Sequence, residues 1–498
     1  QLQTEVFDVL IIGGGITGAA VARDAAFRGL KVALIEAGDF ASGTSSGSSK
    51  LIHGGVRYLE QFEFKLVFEA IQEREKLKKL YAPLVQDLSF VFPSYRNGYP
   101  PRWKLNLGLF LYDSFAKFRA PHSNLSASKT QSEFPWLKTE NLTGSCVYTD
   151  SFSEDYRLVT ELIKSAHRRG AICVSRLQLR KINVGPVHEI LAADLFDREN
   201  SVQIKAKHIF NCSGPYSDSV RKLLNLPSAL KLTQGIHFII PRARLPIKTA
   251  FVLSDPKLNR ILFAIPWNSI TYLGTTDTEI DDPKKARASK ADADYVLEMA
   301  NHYFNVGLKR PDIIQSWAAV RPLLRPPDSR NPSAISREHH LEENPKNIFH
   351  LMGGKLTSHR LMAREALDHI KKVHLIDDSP LQDKLWEKNS SNNLETTFGR
   401  FSEDILQIDS ERKLNQKTIT SSTPHLVSEV LYSLYHEMAL SPIDFIRRRS
   451  SLYYECPNLE MAKAVTDIFS KELHWTSELT EKHLNEVKEQ FSWDMENY

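Results

Sequence analysis

Phe7-Asp8-Val9-Leu10-Ile11-Ile12-Gly13-Gly14-Gly15-Ile16-Thr17-Gly18 decides how this chain is read, together with Glu36 eighteen residues further on. Val9–Ile12 is a short continuous apolar run, the pattern of a strand buried on both faces. Ala19 to Arg28 has the small and apolar spacing of a helix packed on a sheet, and Lys31-Val32-Ala33-Leu34-Ile35 gives a second strand ending at Glu36. Gly13 allows a sharp turn, Gly15 lets backbone N–H groups approach a pyrophosphate, and Gly18 lets the helix lie close to the strand. The helix N-terminus faces the phosphates. Glu36 stands where a carboxylate accepts hydrogen bonds from ribose hydroxyls and repels a 2′-phosphate, so FAD or NAD fits better than NADP.

Working outward, Ala41-Ser42-Gly43-Thr44-Ser45-Ser46-Gly47-Ser48-Ser49-Lys50 has the composition of a flexible linker. Its place directly after the second strand favours a loop whose hydroxyls and amides line a phosphate or flavin. Leu51-Ile52-His53-Gly54-Gly55-Val56-Arg57-Tyr58 then sets a cation and a phenol behind a Gly-Gly, and Ile348-Phe349-His350-Leu351-Met352-Gly353-Gly354-Lys355-Leu356-Thr357 again reads as strand, Gly-Gly, helix. Glycine-marked strand-to-helix turns at both ends of the nucleotide domain suit a cofactor long enough to span both. FAD is therefore preferred to NAD.

A chain of 498 residues exceeds one ordinary core, so two domains are expected, with room for a third, small one. A formal charge of +4 without a dense Lys/Arg tract does not indicate nucleic-acid binding. Cys146, Cys173, Cys212 and Cys456 are scattered without metal-ligand spacing, so they read as reduced, partly buried thiols and no metal site is expected. No run of eighteen apolar residues exists, which leaves membrane contact peripheral. The sequence starts at Gln1, which leaves a removed leader open.

Phe62 to Leu80 has the pattern of a surface helix. Arg102 to Arg119 mixes aromatic and aliphatic residues with Lys104 and Lys117, as in a partly buried helix or one that dips into a membrane surface. Asp155 to Arg169 is helical and is followed by strands to Ile209, after which Asn211-Cys212-Ser213-Gly214-Pro215 breaks the pattern in a turn that can return beside the cofactor. From Lys231 to Thr276 the pattern is mostly β, a candidate antiparallel substrate domain inserted in the nucleotide domain. Beyond Asp378, a polar linker-like stretch from Lys388 to Thr397 leads to helical periodicity over Val427–Met438, Asn458–Leu473 and Leu479–Phe491. The expected division is 1–385 for the FAD-binding domain, with its substrate part mainly in 85–150 and 230–335, and 386–498 for a separate helical domain.

These residues together are specific enough to carry a family resemblance. Val9–Gly18 with Glu36, Gly43-Thr44-Ser45-Ser46 through His53-Gly54-Gly55-Val56-Arg57-Tyr58-Leu59-Glu60, Val320-Arg321-Pro322-Leu323 and Gly353–Thr357 resemble the FAD-dependent glycerol-3-phosphate dehydrogenases. His436-Glu437-Met438-Ala439 through Asp444 and Arg447-Arg448-Arg449 resemble the helical domain of that family. Cys212-Ser213, Tyr216, Arg448 and Ser450 depart from its usual residues. The resemblance implies an α/β, Rossmann-like FAD domain of the glutathione-reductase type, shared with D-amino-acid oxidase, with an inserted antiparallel β-rich substrate domain and a C-terminal helical domain. It implies oxidation of sn-glycerol 3-phosphate to dihydroxyacetone phosphate by hydride transfer from C2 to FAD N5, with electrons passed to a quinone. A glycerol-3-phosphate oxidase, which gives its electrons to oxygen and releases hydrogen peroxide, is the alternative. The implied setting is cytoplasmic, at the inner face of a membrane, with a homodimer as one expected assembly. FAD contacts carried over are Gly13, Gly15, Ile16, Thr17, Gly18, Glu36, Thr44, Ser45, Ser46, His53, Gly54, Gly55, Leu179, Ser213, Gly214, Gly353, Gly354, Lys355, Leu356 and Thr357.

For the reaction, the resemblance places Arg57, Arg321, Arg337 and Lys355 near the flavin, with Tyr58 as a neutral donor. Four cations exceed what a carboxylate substrate needs, and arginine grips phosphate bidentately. His237, on a strand after Gly235, is the candidate base, since imidazole accepts a proton near neutral pH; the plainer reading is a strand histidine that only hydrogen-bonds. His53 is expected against the isoalloxazine, and His339 and His340 at the surface. Lys355 is a further candidate for stabilising negative charge at flavin N1 and the C2 oxygen.

Overall fold

The strand Val6–Ile12 enters the middle of a parallel sheet, paired with Val32–Ile35 on one side and Ser201–Asn211 on the other. Ile172–Val174 extends that sheet beyond Val32–Ile35, and Ile348–Gly353 extends it beyond Ser201–Asn211, all four pairings being parallel. Central parallel strands are covered on both faces, which is why their apolar runs do not alternate. In the computed structural model, residues 1–82, 84–195, 201–258, 260–325, 339–370 and 401–495 are described.

The turn after the first strand follows from its glycines. Gly13 has φ +110°, and a Cβ there would lie 2.6 Å from the Cys212 carbonyl oxygen. A Cβ on Gly18 would lie 1.9 Å from the Gly13 carbonyl oxygen, so the helix Ile16–Phe27 rests directly on the turn backbone. The alanines of that helix are buried against the helices Asp155–Arg168 and His359–Asp368.

A second sheet of ten strands is built mainly from Val85–Tyr95, Leu142–Ser153 and the strands between Leu230 and Leu324. Leu230–Pro241 lies between Ile270–Gly274 and Gln315–Leu324, antiparallel to both. Among the described residues the expected antiparallel arrangement has one exception: Ala250–Asp255 runs parallel to Val85–Tyr95. Those two strands come from separate visits of the chain to the sheet, so no hairpin dictates their relative direction.

Helices Val427–His436, Leu459–Glu472 and Ser477–Met495 form where the periodicity placed them. Buried apolar residues of this C-terminal region, including Val430, Phe445, Tyr453 and Met461, continue the cluster that contains Val9, Ile11 and the alanines of the first helix. The helical region therefore shares its main core with the nucleotide domain. The polar stretch Lys388 to Thr397 and the expected boundary at 385 lie outside the described residues.

Gly18→Ala must force the helix off the turn, because the atom it meets is backbone and cannot rotate away. Overpacking of this kind costs about 1–3 kcal/mol or more. The expected outcome is a lowered unfolding midpoint with poor dinucleotide retention, read by thermal unfolding and flavin absorbance; wild-type values for both would show that the approach is looser than described.

Candidate active site

The loop Thr44–Lys50 is where the three parts of the chain meet. Thr44 Oγ1 donates to the Val320 carbonyl at 2.5 Å, and Trp317 Nε1 donates to the Gly47 carbonyl at 3.1 Å. Tyr272 donates its hydroxyl to the Ser49 carbonyl at 2.8 Å, and the Ser49 hydroxyl lies 2.8 Å from His237 Nε2. From the nucleotide side, Asp155 accepts from the Ser48 N–H and hydroxyl and from Lys50 Nζ at 2.7 Å. From the C-terminal region, Tyr454 donates to the Ser46 carbonyl at 3.2 Å. This is an ordered wall of the site, and the linker reading is set aside.

The residues of the glycine turn and the loops after the second strand lie together. The helix N-terminus presents the Ile16 N–H, which donates to Ser45 Oγ at 2.9 Å. Glu36 accepts from the N–H groups of Gly14 and Gly38, both at 2.6 Å, and burial raises its carboxyl above the usual range. Ser213–Gly214 begins the turn whose backbone the Gly13 approach touches. Leu179 is half-buried two residues past Leu177, whose N–H donates to the Glu36 carbonyl.

A second group of residues shares one face of the second sheet. Register pairs His237 with Trp317 and with Gly274, and Thr233 with Arg321. His237 is buried, its ring stacked on Trp317 with centroids 4.6 Å apart, and Nδ1 has no hydrogen-bond partner among the described residues. Burial, then the charges of Arg321 and Lys50, hold this imidazole well below its ordinary pKa, so it is neutral near pH 7. The Arg321 guanidinium reaches Asp277 Oδ1 at 3.0 Å, Thr275 Oγ1 at 3.1 Å and the Thr276 carbonyl at 3.2 Å. Gly235 makes room for it, since a Cβ there would meet Arg321 Nη2 at 2.4 Å.

A third group joins the two Gly-Gly turns. The His53 N–H donates to Thr357 Oγ1 at 3.2 Å, and Lys355 Nζ lies 3.9 Å from the centroid of the Tyr58 ring. Gly353 and Gly354 have φ +73° and +83°, and Leu356 and Thr357 open a short 3-10 turn. Arg57 is half-buried on the adjacent turn Val56–Gln61. Arg337 lies outside the described residues. His339 is half-buried against Glu365 at 2.5 Å rather than fully at the surface, because its strand pairs along Ile348–Gly353. His340 is exposed.

Sequence reading missed the supports beneath these groups. Asp150 accepts from Arg74 at 2.6 Å and from Tyr112 at 2.5 Å, while Tyr112 also receives the Gly54 N–H at 2.8 Å. Lys50 is fully buried, with Nζ 4.8 Å from the Tyr454 ring and 5.0 Å from the Tyr156 ring. In sequence these are isolated charges in different segments, and only the fold pairs them.

Comparison with known proteins places the chain in a family. The family model described as FAD dependent oxidoreductase matches residues 8–368, and that of the C-terminal domain of alpha-glycerophosphate oxidase matches 349–480. The chain is 33% identical to an aerobic glycerol-3-phosphate dehydrogenase of Staphylococcus haemolyticus, covering 98% of this chain and 94% of that one. It is 31% identical to a probable mitochondrial glycerol-3-phosphate dehydrogenase of Caenorhabditis elegans, over 95% of this chain and 71% of that one. Among solved structures, the glycerol-3-phosphate dehydrogenase from Bacillus halodurans complexed with FAD superposes with a TM-score of 0.81 at 26% identity, covering 99% of this chain and 96% of that one.

FAD is the cofactor, and the residues present fit it. A Cβ on Gly13, Gly14 or Gly18 would collide with Cys212, Phe40 or the Gly13 carbonyl, so the turn is tight, and it delivers the chain directly to the N-terminus of the first helix. Glu36, expected from the sequence to accept from the adenosine ribose, follows the second strand beside that turn. Glu36→Ala should therefore yield folded protein with little bound flavin, measured as the ratio of flavin to protein absorbance after gel filtration. Full, tightly retained FAD would remove Glu36 from the cofactor site.

Proposed function

The chain belongs to the FAD-dependent glycerol-3-phosphate dehydrogenase family, and from that premise we propose that it oxidises sn-glycerol 3-phosphate to dihydroxyacetone phosphate and passes the electrons to a membrane quinone. The observation that carries the reading is the pairing of a buried neutral imidazole, His237, with a braced guanidinium, Arg321, on the sheet face that packs on Thr44–Lys50. FAD, when bound, takes up the two electrons removed from the substrate. Arg321 binds the phosphate, a charge-assisted contact that also fixes which end of the substrate enters. With Nε2–H donated to Ser49 Oγ, His237 Nδ1 presents a lone pair and accepts the proton of the C2 hydroxyl. Arg57, Tyr58 and Lys355 orient the remaining polar groups, and Arg337 belongs to the same proposed cation set.

The quinone reading is supported by an apolar surface next to this site. On the helix Arg102–Phe115, Leu105, Leu109 and Tyr112 point inward while Trp103, Leu107 and Phe110 stay exposed. Phe62 and Phe64, just beyond the turn that carries Arg57 and Tyr58, are exposed as well, and the Lys104–Glu60 ion pair at 3.0 Å ties that turn to the helix. Exposed apolar residues in one area mark a contact surface, and the cations at its edge, Lys65 and Arg119, are each paired with a glutamate. No helix among the described residues is long and apolar enough to cross a membrane. The second reading, an oxidase, is separated from the first by anaerobic reduction with glycerol 3-phosphate followed by a quinone or by oxygen. Rapid peroxide formation without quinone reduction would select the oxidase.

The two site residues should differ kinetically. Arg321→Ala should raise KM for glycerol 3-phosphate by an amount worth roughly 2–3 kcal/mol and leave unphosphorylated glycerol nearly unaffected. His237→Ala should slow flavin reduction at saturating substrate by about 10²–10⁴-fold. Because a bound dianion offsets the Arg321 charge that disfavours imidazolium, the acid limb of kcat should lie at higher pH than that of kcat/KM. Coincident limbs would sever this link, and wild-type flavin reduction in His237→Ala would place the base elsewhere.

For the surface, replacing Phe62, Trp103 and Phe110 together by Ser should weaken flotation with anionic vesicles by at least about tenfold, since each buried aromatic contributes about 1.5–3 kcal/mol. Unchanged flotation, or none for the parent protein at any salt, would remove the membrane from the proposal.

A further inference from the structure

Arg448 and Arg449 reach across from the C-terminal region to Asp39, three residues beyond Glu36. Asp39 is fully buried; it accepts from Arg448 Nε at 2.5 Å and from Arg449 Nη1 and Nη2 at 3.1 and 2.8 Å. Its loop is tightly specified: Gly38 N–H donates to Glu36, Ser42 N–H donates to the Asp39 carbonyl, and Ala41 N–H donates to the Gly14 carbonyl within the glycine turn. A displaced Asp39 would therefore disturb Glu36, the glycine turn and the start of Thr44–Lys50 together.

Two further contacts from the same region end on the same loops. Asp444 accepts from Arg176 at 2.6 and 2.7 Å, and the Arg176 backbone N–H donates to the Gly38 carbonyl at 2.9 Å. Tyr454 holds the Ser46 carbonyl, and its ring lies beside the Lys50 ammonium. The arginines are held in turn: Arg448 donates to Asp444 at 2.6 Å, and Arg449 donates to the Glu437 carbonyl at 2.8 Å. Glu437 itself is gripped by Arg157 and Lys164 of the helix that packs on the first helix. Burial opposes ionisation of Asp39, yet Arg449 and Arg448 keep its carboxyl below the usual range.

The geometry points to the C-terminal helical region as a clasp on the cofactor loops, with Arg448, Arg449 and Tyr454 as positioning residues that hold residues 36–50 closed around FAD. Buried ion pairs contribute uncertainly to overall stability but fix one arrangement of the groups they join. Here the arrangement fixed is that of the ADP-side loop and the flavin-side loop at once. Slow cofactor loss is the property this clasp supplies.

The test measures FAD release from the holoenzyme by the rise of flavin fluorescence, beside far-UV circular dichroism of the same samples. Asp39→Asn and Arg449→Gln should each speed release at least tenfold at temperatures where the protein remains folded. The double variant should fall well short of additive, because both substitutions cut the shared Asp39–Arg449 contact. Arg449→Lys, which keeps the charge but loses the fork, should fall between wild type and Arg449→Gln. Arg221→Gln, which breaks the Arg221–Glu342 pair at 2.7 Å on the strand beside Ile348–Gly353, should change release little even where it lowers the melting temperature. Tyr454→Phe removes the bond to the Ser46 carbonyl and the hydroxyl's interaction with Lys50 while keeping the ring, and serves if the Asp39 and Arg449 variants fail to fold; several-fold faster release is expected. Wild-type release in folded Asp39→Asn or in Tyr454→Phe, additive effects in the double variant, or equal acceleration by Arg221→Gln would each overturn the clasp.

Discussion

The loop Thr44–Lys50 is the constraint on which the site depends, because it has almost no side-chain bulk of its own to hold it. Small hydroxyl residues and glycine allow the backbone to pass close to a cofactor, but the same composition leaves the chain floppy unless its polar groups are taken up elsewhere. The protein takes them up from three directions: sheet carbonyls and rings on one side, Asp155 on another, Tyr454 on the third. Lys50, with φ +55°, ends the loop in a fully buried position where Asp155 and aromatic rings replace its hydration. Such a lysine is stable only while those partners stay in place, so a defect at any of the three sides is felt at the others.

The fold was legible where one local rule dominated. The apolar run Val9–Ile12, the glycine spacing and Glu36 each follow from short-range stereochemistry, and the sheet and helix around them form accordingly. The helices Val427–His436, Leu459–Glu472 and Ser477–Met495 were legible from periodicity alone. What sequence could not give was pairing between distant charges. Asp39 and Arg449 are 410 residues apart, and Arg157 and Glu437 are 280 apart, so neither is distinguishable from a solvated surface charge before the fold exists. The single parallel pairing in the second sheet was hidden for a related reason, since strand direction there depends on when the chain returns and not on what the strand contains.

The candidate site shows the same division. His237 and Arg321 were singled out as residues, but their placement on one sheet face rests on register. A shift by one residue would turn His237 to the other face and uncouple it from Ser49. Register in this sheet is pinned by Gly235 and Gly274, whose missing side chains leave the space that Arg321 and His237 fill. Glycine thus acts here as a specificity device for its neighbours, a role that composition alone does not reveal.

On the proposed reading, the cations of the site divide into two tasks because they stand in two places. Arg321 is braced by Thr275, Thr276 and Asp277 at the sheet, while Lys355 lies over the Tyr58 ring between the Gly-Gly turns. The two side chains are carried by different elements, Arg321 by a strand of the second sheet and Lys355 by the turn that follows Ile348–Gly353. Lys355 then answers to negative charge on the cofactor, the electrostatic role open to a compact ammonium. Arg321 answers to the substrate, and its charge is the one that a dianion can cancel beside His237. The base is thereby kept unprotonated in the free enzyme and gains proton affinity when the phosphate arrives, so substrate binding itself readies the proton acceptor.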